Sequence, residues 1–201
     1  VGSEMCIRDS IDSCLHCGQC HAIPLGCYRA DSMKRPIIEG TKMKSLNCFA
    51  DHAPKPEWIS DFFMQGTEFL AINSLGPMQI MKYKRFLSDA GLIAKNKTTG
   101  FFDLIKQIGA MTEDAWGLIL IQLVNDNPQM QWYVRNMAAG KAMTVKEIID
   151  LLSVHSVTEK DARSICKSFK RLCEIPLGRK LQFGTFAEQG HTLAAITRTK
   201  P

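Results

Sequence analysis

Long apolar runs are missing from this chain of 201 residues. The longest candidate, residues 116–124, is interrupted by Gly117 and Gln122, and it is much shorter than the roughly 18 apolar residues of a membrane-spanning helix. We therefore interpret it as a buried core helix and expect no membrane contact. The first residues also lack the basic, apolar and small-residue regions of a signal peptide, so we expect a cytoplasmic protein.

Glycine-rich phosphate-binding loops are missing as well, and so are internal repeats and low-complexity tracts. The formal net charge of +5 permits contact with nucleic acid or another acidic surface without requiring it. A hydrophobic content of 45% excludes a disordered chain and is enough for one core. Asp51 beside His52, and Glu188 near His191, are close only in sequence, which does not supply acid–base geometry. We therefore predict no catalytic residue in this chain.

Cysteine is abundant and unevenly distributed. Four of the eight cysteines fall within residues 14–27, with the spacing C-x2-C-x2-C-x6-C. A disulfide scaffold belongs to small secreted domains, and secretion has no support here. Thiolates are soft ligands that select zinc or iron–sulfur clusters over hard cations. We predict that one metal centre is bound by Cys14, Cys17, Cys20 and Cys27.

The identity of this metal centre stays open between two alternatives. A C-x2-C-x2-C run is typical of [4Fe–4S] ferredoxin loops, although the last spacing here is longer and no proline follows Cys27. Zinc sites usually combine two separated C-x2-C pairs, and in a zinc site His16 or His21 can replace a thiolate. We expect a [4Fe–4S] cluster, with zinc as the alternative. Two roles stay open for either centre: electron transfer, or the purely structural role of holding together a loop that is too small to fold alone.

The composition divides the chain into three segments. Residues 1–10 (VGSEMCIRDS) resemble translated sequencing-adapter read-through, so we expect them to be an artefact and give Cys6 no weight. Residues 11–40 form the cysteine-rich module. Residues 41–201 carry helical periodicity and form a helical domain that we expect to be truncated. The predicted fold class is mainly α, a small metal or cluster module followed by a helical domain.

Apolar spacing, proline and capping residues predict the helices of this domain. The caps are expected at Asn73 or Ser74 for one helix, and at capping boxes that open with Thr144 and Thr158 for two others. Cys48, Cys166 and Cys173 are interpreted as small buried residues, and the three tryptophans as core anchors. The predicted helices are one that starts at Pro56 and ends near Gly66, then 77–90 with a C-terminal cap at Gly91, 115–124, 129–137, and two that follow Thr144 and Thr158. In the helix after Thr158 we expect Ile165, Phe169 and Leu172 to face inward and Lys167, Lys170 and Arg171 to face outward. Residues 92–102 are predicted to include a short strand or wing.

Several motifs of the helical domain resemble a family of bacterial proteins. The residues that carry the resemblance are His52, the 54–59 run PKPEWI, the 73–76 run NSLG, Phe86-Leu87, the 90–93 run AGLI, Ala115-Trp116-Gly117, Trp132-Tyr133, the 176–178 run PLG and Thr197-Arg198-Thr199. They resemble an uncharacterised domain that accompanies phosphoadenosine-phosphosulfate-reductase-like proteins, including those of DNA phosphorothioation and phage-defence loci. The 14–27 module is similar to the cysteine cluster that follows the reductase-like domain in such proteins.

The resemblance implies an accessory C-terminal portion of a sulfurtransferase-type enzyme. The expected partners are the upstream reductase-like domain of the same protein, and DNA or other defence-system proteins. The SGGxDS-type loop of the reductase-like domain is absent from this chain, so we expect no turnover by the chain alone. The competing interpretation is a freestanding DNA-binding or regulatory module with a structural zinc.

Residues 75–93 have a second interpretation, as the recognition helix and strand entry of a winged helix. Lys82, Lys84 and Arg85 would then contact DNA phosphates. The alternative is an ordinary amphipathic core helix with a solvated basic face.

Overall fold

The computed structural model describes residues 46–71 and 74–199, all within the unit Lys42–Pro201. The predicted mainly α fold is confirmed there. None of the described helices combines the length and apolar character of a membrane span. The elements in chain order are α1 (Pro56–Gln65), a 3-10 helix (Gly66–Leu70), α2 (Pro77–Asp89), β1 (Ile93–Ala94), β2 (Lys97–Thr98), α3 (Gly100–Ile108), α4 (Glu113–Asp126), α5 (Pro128–Asn136), β3 (Ala142–Thr144), α6 (Val145–Ser153), α7 (Glu159–Glu174), α8 (Pro176–Leu181), β4 (Thr185–Gln189) and β5 (Thr192–Thr197).

Local capping explains most helix starts. Proline occupies the first position of α1, α2, α5 and α8, where its missing N–H costs no hydrogen bond. The predicted capping box at α6 is confirmed, because the Thr144 N–H donates to Glu147 and the Glu147 N–H donates to the Thr144 hydroxyl. At α7, the Thr158 hydroxyl accepts from the Asp161 N–H, as predicted.

The ends of α2 confirm one prediction and correct another. Gly91 has a φ of 71°, and its N–H donates to the Ser88 carbonyl while the Leu92 N–H donates to Leu87, which is a Schellman arrangement. The predicted glycine stop is therefore confirmed. The predicted cap at Asn73 or Ser74 is wrong, because Gly76 is the N-cap and its N–H donates to the Gln79 side chain at 3.0 Å.

Two clusters of aromatic side chains fill much of the core. Tyr83 lies in the first cluster, against the rings of Trp58, Phe62, Phe69 and Phe86. The second cluster joins α5 to α7 and to the residues before β4; its rings belong to Trp132, Tyr133, Phe169 and Phe183. The predicted core tryptophans and buried cysteines are confirmed, since Trp58, Trp116, Trp132, Cys48, Cys166 and Cys173 are all buried.

Two small antiparallel sheets complete the described part of the chain. β1 and β2 form a two-residue hairpin, where a strand or wing was predicted within residues 92–102. The second sheet has the order β3-β5-β4, with Ile196 of β5 opposite Met143 and Phe186. The β1–β2 hairpin is separate from this sheet. A winged helix at residues 75–93 is therefore not confirmed, and the three-stranded sheet near the C-terminus was not predicted.

Candidate functional site

An open groove of about 440 Å³ runs between α7 and the β4–β5 hairpin. Four cationic side chains line it, all from α7, together with two carboxylates, Glu174 and Glu188. Val145 at the start of α6 and Leu193 of β5 add apolar lining. The four cationic residues are Arg163, Lys167, Lys170 and Arg171. The groove is therefore suited to a ligand that carries negative charge.

The sequence of α7 separates an apolar face from a basic one. Ile165, Phe169 and Leu172 are fully buried, as predicted. Arg163, Lys167 and Arg171 follow each other at intervals of four residues, which places them on one stripe of the helix. The predicted outward orientation of Lys167, Lys170 and Arg171 agrees with their exposure or partial exposure. We call Arg163, Lys167 and Arg171 the basic stripe.

The four cationic side chains differ in how they are held. The Lys170 ammonium bonds to Glu188 and lies 5.0 Å from the centre of the Phe186 ring, so β4 fixes its position. Arg163 pairs with Glu159 at 2.6 Å within the helix. Lys167 is 3.6 Å from Asp51, and its side chain is 64% exposed. Arg171 forms no ion pair within the described residues. The basic stripe is therefore more available to a ligand than Lys170 is.

The hairpin ends in an exposed turn beside the groove. Gly190 has a φ of 64°, which allows a tight reversal that other residues rarely adopt. His191 follows it, is exposed, and lines the groove. The register shifts between Ala187 and Glu188, a bulge that increases the local twist of the strand pair. The turn therefore projects next to α7 as a second surface for contact.

Residues 46–53 pack along the other side of α7, and we call them the N-terminal segment. The Asn47 side chain donates to Asp161 at 2.8 Å. The Ser164 hydroxyl donates to the Asp51 carboxylate, which also faces Lys167. The Ser164 hydrogen bond is the largest influence on the pKa of Asp51 and lowers it; burial opposes this effect, and the Lys167 charge lowers the pKa further. Asp51 is therefore held as a carboxylate between Ser164 and Lys167.

The predicted phosphate contacts lie on α2. Lys82 and Lys84 are partly buried, and Arg85 is exposed. The Arg85 Nε donates to the Asp89 carboxylate, and this hydrogen bond raises the pKa of the guanidinium. The Lys82 ammonium is 3.5 Å from the Asn47 carbonyl. None of the three lines the α7 groove. Their contact with DNA stays a prediction.

The predicted metal ligands Cys14, Cys17, Cys20 and Cys27 lie outside the described residues. Within the described ones, no group of three histidine, cysteine or acidic side chains is arranged to hold a metal. The buried thiols there are free cysteines. Burial raises the pKa of both Cys166 and Cys173 to about 12, so these thiols stay protonated at neutral pH.

Comparisons of the chain with protein-family models, curated proteins and solved structures returned no match. A proposal for the function therefore depends on the α7 groove and on the cysteine spacing. Sequence reasoning identified the outward lysines and arginine of α7 but not the groove. The missing information was the β4–β5 hairpin, whose irregular alternation gives a weak strand pattern.

Proposed function

We propose that the described part of the chain binds duplex DNA through α7 and the β4–β5 hairpin. The observation that carries this proposal is the basic stripe of Arg163, Lys167 and Arg171 on the solvent face of α7. The major groove of B-DNA admits an α-helix, and lysine and arginine side chains there contact phosphates and base edges. The 16-residue helix α7 is of this kind.

The order of elements supports duplex DNA over other polyanions. The run from α5 to β5 resembles a winged helix, in which the strand after the first helix pairs with the last strand, giving the sheet order found here. In that comparison α7 corresponds to the recognition helix and the Gly190–His191 turn to the tip of the wing. The short helix α8 is an addition between them. The β4–β5 hairpin, rather than a segment within residues 75–93, is thus our candidate for the wing.

The second part of the proposal concerns the parent protein. The C-x2-C-x2-C-x6-C spacing and the family resemblance support an accessory region of a phosphoadenosine-phosphosulfate-reductase-like protein, with a [4Fe–4S] cluster or zinc bound by the 14–27 module. The DNA-binding region would hold an upstream sulfur-handling domain close to DNA. The alternative is a freestanding DNA-binding module with a structural zinc. A nucleotide-binding loop encoded upstream would favour the first interpretation.

Binding to a labelled duplex of about 20 base pairs, followed by fluorescence anisotropy over a range of salt concentrations, tests the proposal. Each lost phosphate contact should reduce the slope of log affinity against log salt by about 0.9. We expect Lys167→Gln/Arg171→Gln to weaken binding and to reduce this slope by up to about 1.8. A single-stranded oligonucleotide of the same sequence should bind more weakly than the duplex.

Lys82→Gln/Lys84→Gln is the matched control, because it removes two positive charges from α2, as many as the other variant removes from α7. We expect it to retain most of the affinity of the unchanged protein. If the α2 variant loses binding while the α7 variant keeps it, the DNA surface is the one predicted from residues 75–93. If the unchanged chain does not bind the duplex, the proposed function is wrong.

A further inference from the structure

We infer that Asp51 acts as an internal phosphate mimic that limits the affinity of α7 for DNA. The inference rests on the proposed function and adds an affinity-setting residue to it. Its basis is the position of the Asp51 carboxylate, which contacts two donors of α7 that a phosphate would otherwise use.

The two donors have the chemistry and the spacing of a phosphate contact. The Ser164 hydroxyl donates to Oδ1 of Asp51, and the Lys167 ammonium lies 3.6 Å from Oδ2. Ser164 and Lys167 are three residues apart, so they are neighbours on the surface of α7. Hydroxyl and ammonium groups are common partners of DNA phosphate oxygens. The Asp51 carboxylate thus contacts both the Ser164 hydroxyl and the Lys167 ammonium.

The backbone around Asp51 is fixed even though its side chain is accessible. The N–H groups of Cys48 and Phe49 donate to the buried Gln129 carboxamide, at 3.0 and 3.4 Å. Phe49 and Ala53 are fully buried on either side of Asp51. The His52 N–H closes a turn onto the Phe49 carbonyl at 3.0 Å. The carboxylate is therefore held beside Lys167 at a high local concentration.

Both members of the ion pair remain open to an incoming anion. The Asp51 side chain is 47% exposed and that of Lys167 is 64% exposed, and ion pairs this exposed are weak. A DNA phosphate that approaches Lys167 either displaces Asp51 or binds next to its negative charge. In both cases the affinity is lower than the basic stripe alone would give, and Lys167 contributes less to counterion release.

Asp51→Asn tests the inference, because it removes the charge and keeps an acceptor for the Ser164 hydroxyl. We expect the duplex affinity of the full chain to rise about two- to fivefold at low salt, the range that an exposed ion pair supports. We also expect the salt slope to steepen by up to about 0.9. Asp126→Asn is the matched control, because it makes the same change at an exposed carboxylate at the end of α4, and its affinity should not change.

The Lys167→Gln background separates a direct contact from a general effect of charge. In that background Asp51→Asn should no longer raise the affinity, because the competed cation is gone. An unchanged or weaker affinity of Asp51→Asn overturns the inference. If that happens while Lys167→Gln/Arg171→Gln still weakens binding, the proposed function stands without it. If neither the unchanged chain nor Asp51→Asn binds the duplex, both are overturned.

Discussion

The side-chain amide of Asn127 donates a 2.6 Å hydrogen bond to the carboxylate of Asp89, and this contact joins the end of α2 to the start of α5. The Asn127 oxygen also accepts from the Met130 N–H as the N-cap of α5. Both residues are buried, and Arg85 supplies the second partner of Asp89. One side chain therefore caps a helix and satisfies a buried carboxylate.

Asn127→Ala should be strongly destabilising. The loss of the cap costs about 1 kcal/mol, and the carboxylate that loses a donor adds about 1–3 kcal/mol. We expect the free energy of unfolding to fall by about 2–4 kcal/mol, measured by urea denaturation followed by circular dichroism. The exposed neighbour Asn125→Ala is the control and should change stability by less than about 0.5 kcal/mol. Equal effects of the two substitutions would contradict this account.

Two glycines should respond to alanine in opposite directions. At Gly91 the φ of 71° is unfavourable for alanine, and the added Cβ would lie 3.4 Å from the Phe101 ring. We expect Gly91→Ala to lower stability by about 1 kcal/mol or more. Gly117 lies inside α4, and an added Cβ there would meet no neighbour within 4 Å outside the backbone of its own helix, so Gly117→Ala should raise stability by about 0.4–1 kcal/mol. Thermal unfolding of the two variants checks the difference in sign.

Stability should decline at alkaline pH because of two buried thiols. The pKa values of Cys166 and Cys173 rise from 9.0 to about 12 in the folded protein. Between these values the folded state keeps protons that the unfolded state has lost, so the contribution is full below pH 9 and is lost as the pH rises toward 12. The expected slope is about −1.4 kcal/mol per pH unit for each thiol.

Urea denaturation between pH 8 and pH 10.5, under reducing conditions, measures this slope. Cys166→Ala/Cys173→Ala should have a flatter pH dependence than the unchanged chain, although it will be less stable at every pH. A slope that is the same with and without the two thiols would assign the alkaline loss to other groups.

The metal content of the chain tests the cysteine module. After anaerobic expression we expect about four irons and four sulfides per chain, with the absorption of a cubane cluster. Cys17→Ala should lose them, whereas Cys173→Ala should keep them because Cys173 is a buried core thiol of α7. One zinc without sulfide would instead support the structural-zinc alternative.

The helices were predictable because their starts are encoded within a few residues. Pro56, Pro77 and Thr144 each act through their own backbone or through a partner three residues away, so the sequence pattern contains the whole interaction. The cap of α2 was mispredicted because the Gln79 side chain serves Gly76, and glycine has no capping side chain of its own. Sequence patterns favour serine and asparagine at such positions.

The groove was not predictable because its parts are distant in sequence. The sheet pairs Met143 with Ile196, and β4 is exposed at four of its five residues, so it lacks the alternation that would mark it as a strand. The sequence predicted the outward orientation of Lys167, Lys170 and Arg171. Only the fold adds the hairpin on one side and Asp51 on the other.

The Gln129 carboxamide joins the N-terminal segment and α7 to α5. It accepts from the Cys48 N–H across 81 residues and donates to Ser168 of α7 across 39 residues. The full set of contacts of the N-terminal segment therefore requires both α5 and α7 to be in place, and we expect such long-range contacts to form late. Because its attachment is tertiary, we expect its amide hydrogens to exchange with deuterium faster than those in the centre of α7. Release of this segment, with the helix intact, would leave Lys167 without its carboxylate.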